Sequence, residues 1–500
     1  MKKMRVLPAA MAFALALAGG IGMPALAAPD NDPPSSDAVP FTLDAQVLDS
    51  GQQVVSLTLE TSDVAVDESS LTADTFSVHA KGTNPFVSLT DVAGFDVDRE
   101  VTGASVNVDC DIVIDLGYGF MVPGADTLGW SNEAGRNIQL DLDYTVTQNE
   151  PILLTDDYSS VMFSEFEQGA LLDSEVDAFS SGASAGLNYR LFTPGAAASS
   201  ERPLVVWLHG GGEGGWAEAQ DNALPLLANR GALGFVTPEA QETFGGAYVL
   251  APQATDFWMN DAAMGYSAQL KALIDDVVAT NNIDASRIYV VGASNGGYMA
   301  ARLGSDYPDY FAAVVPICPA VAYDDTTLLT DDELAVLRNV PTWIVQATSD
   351  DVLPYEDNGG HMADIVDNAI LTTYPDVTSG GITYPAHWSW IYVANNAPVN
   401  TEGQHVWQWM AAQKLADPVD PTPTPTPTDK PTVKPTDKPT DKPTMKPTYP
   451  VKPTTKPGPG TGGKLPLTGA SVEETAFAAL ALVLAGGGLV LVHRRKTKVD

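Results

Sequence analysis

Between residues 187 and 413 the chain alternates short apolar runs with longer stretches of helical spacing, and few architectures accept that order. The runs are Leu187–Phe192, Leu204–Leu208, Tyr248–Leu250, Ile288–Val291, Ala313–Val315 and Thr342–Gln346. The helix-like stretches are Ala217–Asn229, Ser267–Thr280, Gly297–Ser305, His361–Asn368 and Val406–Gln413. Runs such as Leu204-Val-Val-Trp-Leu208 carry no polar face, as expected of strands buried on both sides. β and α elements in alternation predict an α/β fold, a mostly parallel sheet with helices on both faces.

The ends of the chain read differently. Asp417–Gly463 repeats Pro-Thr, Lys-Pro-Thr and Asp-Lys-Pro-Thr. Proline at every second to fourth position removes backbone donors and fixes φ, which favours an extended polyproline spacer. At about 3.1 Å per residue, residues 417–463 reach on the order of 100 Å. At the N-terminus, Lys2, Lys3 and Arg5 precede an apolar run from Leu7 to Met23, then Ala25-Leu26-Ala27. That is the layout of a signal peptide over residues 1–28, removed on export; a retained anchor would need a longer apolar core without Gly19, Gly20 and Gly22.

Residues 464–500 hold Leu465-Pro466-Leu467-Thr468-Gly469, an apolar stretch from Ala476 to Val492, and the basic tail His493-Arg494-Arg495-Lys496 with Lys498. This resembles the LPXTG sorting signal of Gram-positive surface proteins. The apolar segment and basic tail would hold the chain in the membrane only until sorting. The resemblance implies that a sortase cuts between Thr468 and Gly469 and joins Thr468 to peptidoglycan. An ordinary tail-anchor helix is the alternative.

Of 26 Lys+Arg and 63 Asp+Glu, the segment from residue 29 to Ala416 holds 11 basic against 55 acidic. Such a balance excludes nucleic acid and anionic polymers as partners, since these require clustered cations. Acidic loops at Asp324-Asp325 and Asp331-Asp332-Glu333 lack the spacing of a calcium loop, and no His/Cys metal spacing occurs, so no metal or cofactor is expected. Cys110 and Cys318 fall in different expected domains; export permits a disulfide between them without requiring one.

About 390 residues lie between the signal peptide and the spacer, enough for two domains. Residues 39–148 alternate apolar and polar positions, as in Phe41-Thr-Leu-Asp-Ala-Gln-Val47 and Ile138-Gln-Leu-Asp-Leu-Asp-Tyr144, and predict a small all-β sandwich. Its histidine, His79, has no acidic or thiol neighbour in sequence and is expected to be structural. Residues 166–416 form the α/β domain.

Within that domain Ser294 sits in Gly292-Ala-Ser-Asn-Gly296, directly after an apolar run and directly before a helix. A nucleophilic serine requires this strand-to-helix turn, and the glycines relieve its crowding. A second match, Gly182-Ala-Ser-Ala-Gly186, precedes a strand and reads as a turn. Leu204–Leu208 runs into His209-Gly-Gly-Gly212, whose backbone amides suit a developing oxyanion. Gly210, Gly211 and the amide of Asn295 are the expected donors, with His209 orienting the loop and Glu213 and Trp216 bracing it. The acid should follow the serine. Thr342–Gln346 leads to Asp350, with Asp351 as the alternative. His387, in Tyr384-Pro-Ala-His-Trp-Ser-Trp390, lies in a loop before the last helix and is the expected base. His361 comes too early, and His405 begins the last helix.

Leu208-His-Gly-Gly-Gly-Glu-Gly-Gly215, Leu250-Ala-Pro-Gln253, Gly292–Gly297, Asp350-Asp-Val-Leu-Pro354 and His387-Trp-Ser-Trp390 together resemble secreted esterases and predicted peptidases related to polyhydroxybutyrate depolymerases and feruloyl esterases. Relatives in that group place the acid four residues before the proline, which selects Asp350. The resemblance implies an α/β-hydrolase fold, a small-molecule or polysaccharide-linked ester substrate, and an immunoglobulin-like character for the β domain. Asn295 departs from the Met or other apolar residue of many relatives, which bears on the pocket. Trp258, Trp388 and Trp390 suit either a substrate pocket or the core. A serine peptidase of the prolyl-oligopeptidase-like class, or a non-catalytic surface adhesin, are the alternative functions.

Overall fold

The computed structural model describes residues 38–416, apart from 156–157, 196–199, 221 and 325. The signal peptide (1–28), spacer (417–463) and sorting signal (464–500), with Leu465, Pro466, Thr468 and Gly469, lie outside the described residues. Among the described residues no helix is long and apolar enough to cross a membrane.

The first domain is two facing sheets. Val39–Leu48 pairs antiparallel with Gly51–Leu59, and that sheet has five strands; Phe76–Thr83 runs between Phe95–Arg99 and Asp141–Gln148 in a three-stranded one. The alternating residues meet between them: Phe41, Leu43, Leu57 and Ile114 from one sheet pack with Phe76, Val78 and Tyr144 from the other. Phe166–Leu172 pairs in parallel with Val39–Asp44, so the sandwich extends past the boundary at 166 expected from sequence. Antiparallel register also supplies His79 with partners invisible in the linear sequence. Its two ring nitrogens each lie 2.7 Å from a carboxylate, Asp98 and Asp96, on the adjacent strand.

The second domain holds an eight-stranded sheet. Its strands are β1 (Phe179–Ser184), β2 (Leu187–Phe192), β3 (Arg202–Leu208), β4 (Tyr248–Gln253), β5 (Ile283–Ala293), β6 (Ala313–Ile317), β7 (Trp343–Ala347) and β8 (Ile370–Tyr374). Their order across the sheet is β1-β2-β4-β3-β5-β6-β7-β8. All pairs from β4 to β8 are parallel, and only β2 runs against its neighbours. Alternate residues feed two cores: Val205, Trp207, Val291 and Val345 face one side, while Leu204, Val206, Leu208, Val290 and Ile344 face the other. Both faces are therefore covered, which makes this the α/β-hydrolase arrangement the sequence predicted.

Two local readings differ. Helix formation in Ala217–Asn229 is confined to Leu224–Leu227, because Gly214 and Gly215 lead into a turn at Trp216–Ala219 and Pro225 can sit only in a helix's first turn. The serine of the second Gly-x-Ser-x-Gly match ends β1, and Ala185 (φ 51°) with Gly186 (φ 85°) turns the chain into β2. Ser184 Oγ donates to Asp276 on the surface. That geometry is a tight hairpin turn.

Candidate active site

β5 lies at the centre of the sheet and ends at Ala293, and α1 (Asn295–Asp306) begins two residues later. Ser294 is the joint, with φ 57° and ψ −116°. Holding a non-glycine residue there costs about 1–3 kcal/mol, and it persists because the surroundings fix it. The Ser294 N–H donates to the Ile317 carbonyl at 2.9 Å, and its own carbonyl accepts from Ala320 N–H at 3.2 Å. The flanking glycines are needed for space. A Cβ on Gly296 would stand 2.0 Å from the Leu208 carbonyl oxygen, and one on Gly292 would stand 2.2 Å from that of Gly296.

Asp350 and His387, 37 residues apart in sequence, come together beyond the sheet's strand ends. His387 Nδ1 lies 2.9 Å from Asp350 Oδ2 and 3.1 Å from Oδ1, and both side chains are fully buried. The backbone N–H groups of Val352 and Leu353 donate to Oδ1 at 3.0 Å, and Gln346 Nε2 donates to Oδ2 at 3.1 Å. Burial works to raise the Asp350 carboxyl, but His387 and the two amides outweigh it and hold the group below its ordinary value. Asp351 makes no such contact and is exposed. His387 Nε2 is buried and makes no hydrogen bond. Its ring stands edge-on to Trp390 at 5.6 Å, and Trp390 stacks on Trp388 at 5.9 Å. These tryptophans and Trp258 are buried, and Trp258 lies against the His209 ring at 5.0 Å.

Cys318, the residue after β6, connects the two halves. Its neighbour Ile317 accepts from Ser294, and its Sγ donates to the His387 carbonyl at 3.2 Å. Ser294 and His387 thus rest on the same strand end. The thiol, an Asp350 oxygen and a His387 nitrogen lie within 4.8 Å of one another. Burial, with the charge of Asp350, pushes the thiol well above its usual range, which suits its part as the hydrogen-bond donor to the His387 carbonyl. Both cysteines are free, with Cys110 exposed.

The glycine loop follows β3. His209 Nε2 accepts from Ala254 N–H at 3.0 Å, which makes Nδ1 the protonated nitrogen donating to the Gly210 carbonyl at 2.6 Å. Burial drives His209 down to about 3, so it stays neutral. In a trans peptide the C=O and the next N–H point in opposite directions. Fixing the Gly210 carbonyl against His209 therefore turns the Gly211 N–H away from it. A Cβ on Gly210 would lie 3.9 Å from Ser294 Cβ, so the loop passes beside the serine. The Gly210 backbone amide helps to stabilise the buried Glu213 carboxylate, which burial raises to about 7 against Arg136 and that amide. Asn295 Oδ1 accepts from Met259 N–H at 2.9 Å, which ties α1 to the loop after β4.

Of the acidic loops, Asp331 pairs with His361, while Glu333 closes a capping box with Thr330 and bonds Arg302. His405 stands at the N-cap position of the last helix, and its Nδ1 lies 2.6 Å from the Asn396 carbonyl in the preceding loop. These groups are occupied away from Ser294. Sequence reasoning missed the β-domain residues Arg136 and Asn137, which contact the glycine loop; nothing in their local pattern marks them.

Residues 187–339 match the family model described as esterase PHB depolymerase. The matched span covers β2 through the segment before β7, and includes both Ser294 and the glycine loop. Residues 459–499 match the LPXTG cell wall anchor motif, so the chain is a secreted, wall-anchored protein of the Gram-positive type. NocK of Nocardia uniformis subsp. tsuyamanensis, a protein described as an esterase, is 34% identical over 132 residues, 26% of this chain and 37% of that one. Feruloyl esterase B of Neurospora crassa is 30% identical over 134 residues, 25% of this chain and 42% of its own length. The chain thus spans less than half the length of these curated relatives. A solved thermostable esterase superposes with a TM-score of 0.63 at 25% identity, covering 75% of this chain and 99% of that one.

Proposed function

We propose that this protein hydrolyses carboxylic esters outside the cell, through an acyl-enzyme on Ser294. The observation that carries the reading is the buried His387–Asp350 pair, set on the same strand end as a strained serine between β5 and α1. Asp350 accepts the Nδ1 proton of His387, which leaves Nε2 to take the Ser294 hydroxyl proton as Oγ attacks the acyl carbon. The imidazolium then returns the proton to the leaving alcohol, and water repeats the sequence to free the acid. The developing oxyanion would be met by the amides of Gly211 and Asn295 at the start of α1, where the helix dipole adds to the stabilisation. Gly210, whose amide serves Glu213, contributes the carbonyl that orients Gly211.

The wall-anchor motif supports a sortase as a processing partner, with Thr468 joined to peptidoglycan, and an ester met near the cell surface. The esterase relatives favour an ester over a peptide as substrate. Assay of p-nitrophenyl acetate and butyrate beside chromogenic peptides tests this: ester turnover without amide cleavage is expected. Amide cleavage without ester turnover would replace the reading with a peptidase.

A further inference from the structure

The β domain touches the glycine loop through one hairpin, Leu128–Ser131 with Arg136–Gln139. Arg136 is 1% exposed, and burying a guanidinium is costly unless every N–H finds an acceptor. All five do. Nε donates to the Gly214 carbonyl at 2.8 Å, and Nη2 donates to the Gly215 carbonyl at 3.3 Å and to Asp256 at 3.0 Å. Nη1 closes on the hairpin's own Ala134 and Gly135 carbonyls at 3.3 and 3.1 Å. The planar group lies 3.6 Å over the Phe257 ring, so it clamps the loops after β3 and β4 together.

The next residue continues the contact. Asn137 Nδ2 donates to Glu213 Oε1 at 3.1 Å. A Cβ on Gly212 would meet that same nitrogen at 2.9 Å and Trp130 Cζ3 at 3.0 Å. Gly212 to Gly215 are thus held one after another by the other domain, directly beyond the Gly211 amide. A contact serving only to dock two domains needs no such sequence of bonds. The exposed bond from Ser88 Oγ to Glu218 at 2.7 Å joins the same domains but meets none of Gly210 to Gly215.

We propose that Arg136 and Asn137 are positioning residues for ester hydrolysis, setting the backbone of the 211–215 loop so that the Gly211 amide meets the oxyanion. The proposal rests on the esterase reading above. Misplacing a donor by a fraction of an ångström acts on the transition state and spares the ground state.

The test uses the full-length protein with p-nitrophenyl butyrate and a trifluoromethyl ketone analogue that forms a hemiketal oxyanion. Asn137→Ala and Arg136→Lys are expected to lower kcat about 10- to 100-fold with KM within about twofold, and to weaken the ketone by the same factor. Ser88→Ala, which cuts a different inter-domain bond at the surface, is expected to keep wild-type kcat. Arg136→Lys retains charge and most of the volume, so it decides the matter if Asn137→Ala does not fold. If the folded variants keep kcat and ketone affinity within about twofold, or if Ser88→Ala loses as much as they do, the positioning role is wrong. Wild-type protein that turns over no ester would instead overturn the esterase reading beneath it.

Discussion

His387 Nδ1 lies 2.9 Å from Asp350 Oδ2, and the carboxylate that receives it is itself held by two backbone amides and Gln346. The acid is fixed before the imidazole meets it, so the pair defines which histidine nitrogen carries the proton.

Asp350→Asn follows directly. The amide can present an N–H to Nδ1 and reverse the tautomer, leaving no base at Nε2. We expect kcat to fall about 10³- to 10⁴-fold with KM changed only a few-fold. Asp351→Asn, on an exposed side chain outside this network, should keep wild-type rates. Steady-state kinetics of the two variants check the assignment, and a large loss in Asp351→Asn alone would reverse it.

Sequence made the centre of this site legible because β3, β5 and β7 each hold a continuous apolar run, Leu204–Leu208, Ile288–Val291 and Trp343–Val345, leading into Gly-rich or carboxylate loops. It concealed β1, since Phe179-Ser-Ser-Gly-Ala-Ser184 holds few apolar residues and gains its place by pairing with β2. It likewise concealed β8 (Ile370–Tyr374), an edge strand with partly exposed residues. Arg136 and Asn137 were silent for a different reason. Their partners on the glycine loop lie 76 to 79 residues away, so the contact exists only through the fold. His79 shows the same limit on a smaller scale, its carboxylates coming from strand register.

The two buried titrating groups of the glycine loop pull stability in opposite directions with pH. Glu213 is raised to about 7 from 4.5, so the folded state keeps a proton that the unfolded chain has lost, and stability falls as pH rises across that window. His209 is lowered to about 3 from 6.5, so the unfolded chain takes up a proton that the folded state refuses, and stability is lost as pH falls below 6.5. The wild-type profile between about pH 4.5 and 6.5 should therefore be flatter than either group alone would give. Glu213→Gln removes the first contribution. Its stability should climb more steeply from pH 5 to 6.5 than wild type in urea unfolding; an unchanged slope would show that Glu213 does not titrate there.

The strain at Ser294 has its own signature. Gly is at ease at φ 57° where Ala and Ser are not. Ser294→Gly should exceed Ser294→Ala in unfolding free energy by about 1 kcal/mol, after allowing for glycine's looser unfolded chain. Equal midpoints in denaturant would mean the turn is unstrained.

The most direct test is to trap the acyl-enzyme. Rapid quenching of a reaction with p-nitrophenyl butyrate, followed by peptide mass spectrometry, should find a butyryl group on Ser294, together with a burst of p-nitrophenol close to one per enzyme. Ser294→Ala should show neither. An acyl group on Ser184 or any other residue, or turnover that survives in Ser294→Ala, would contradict the account.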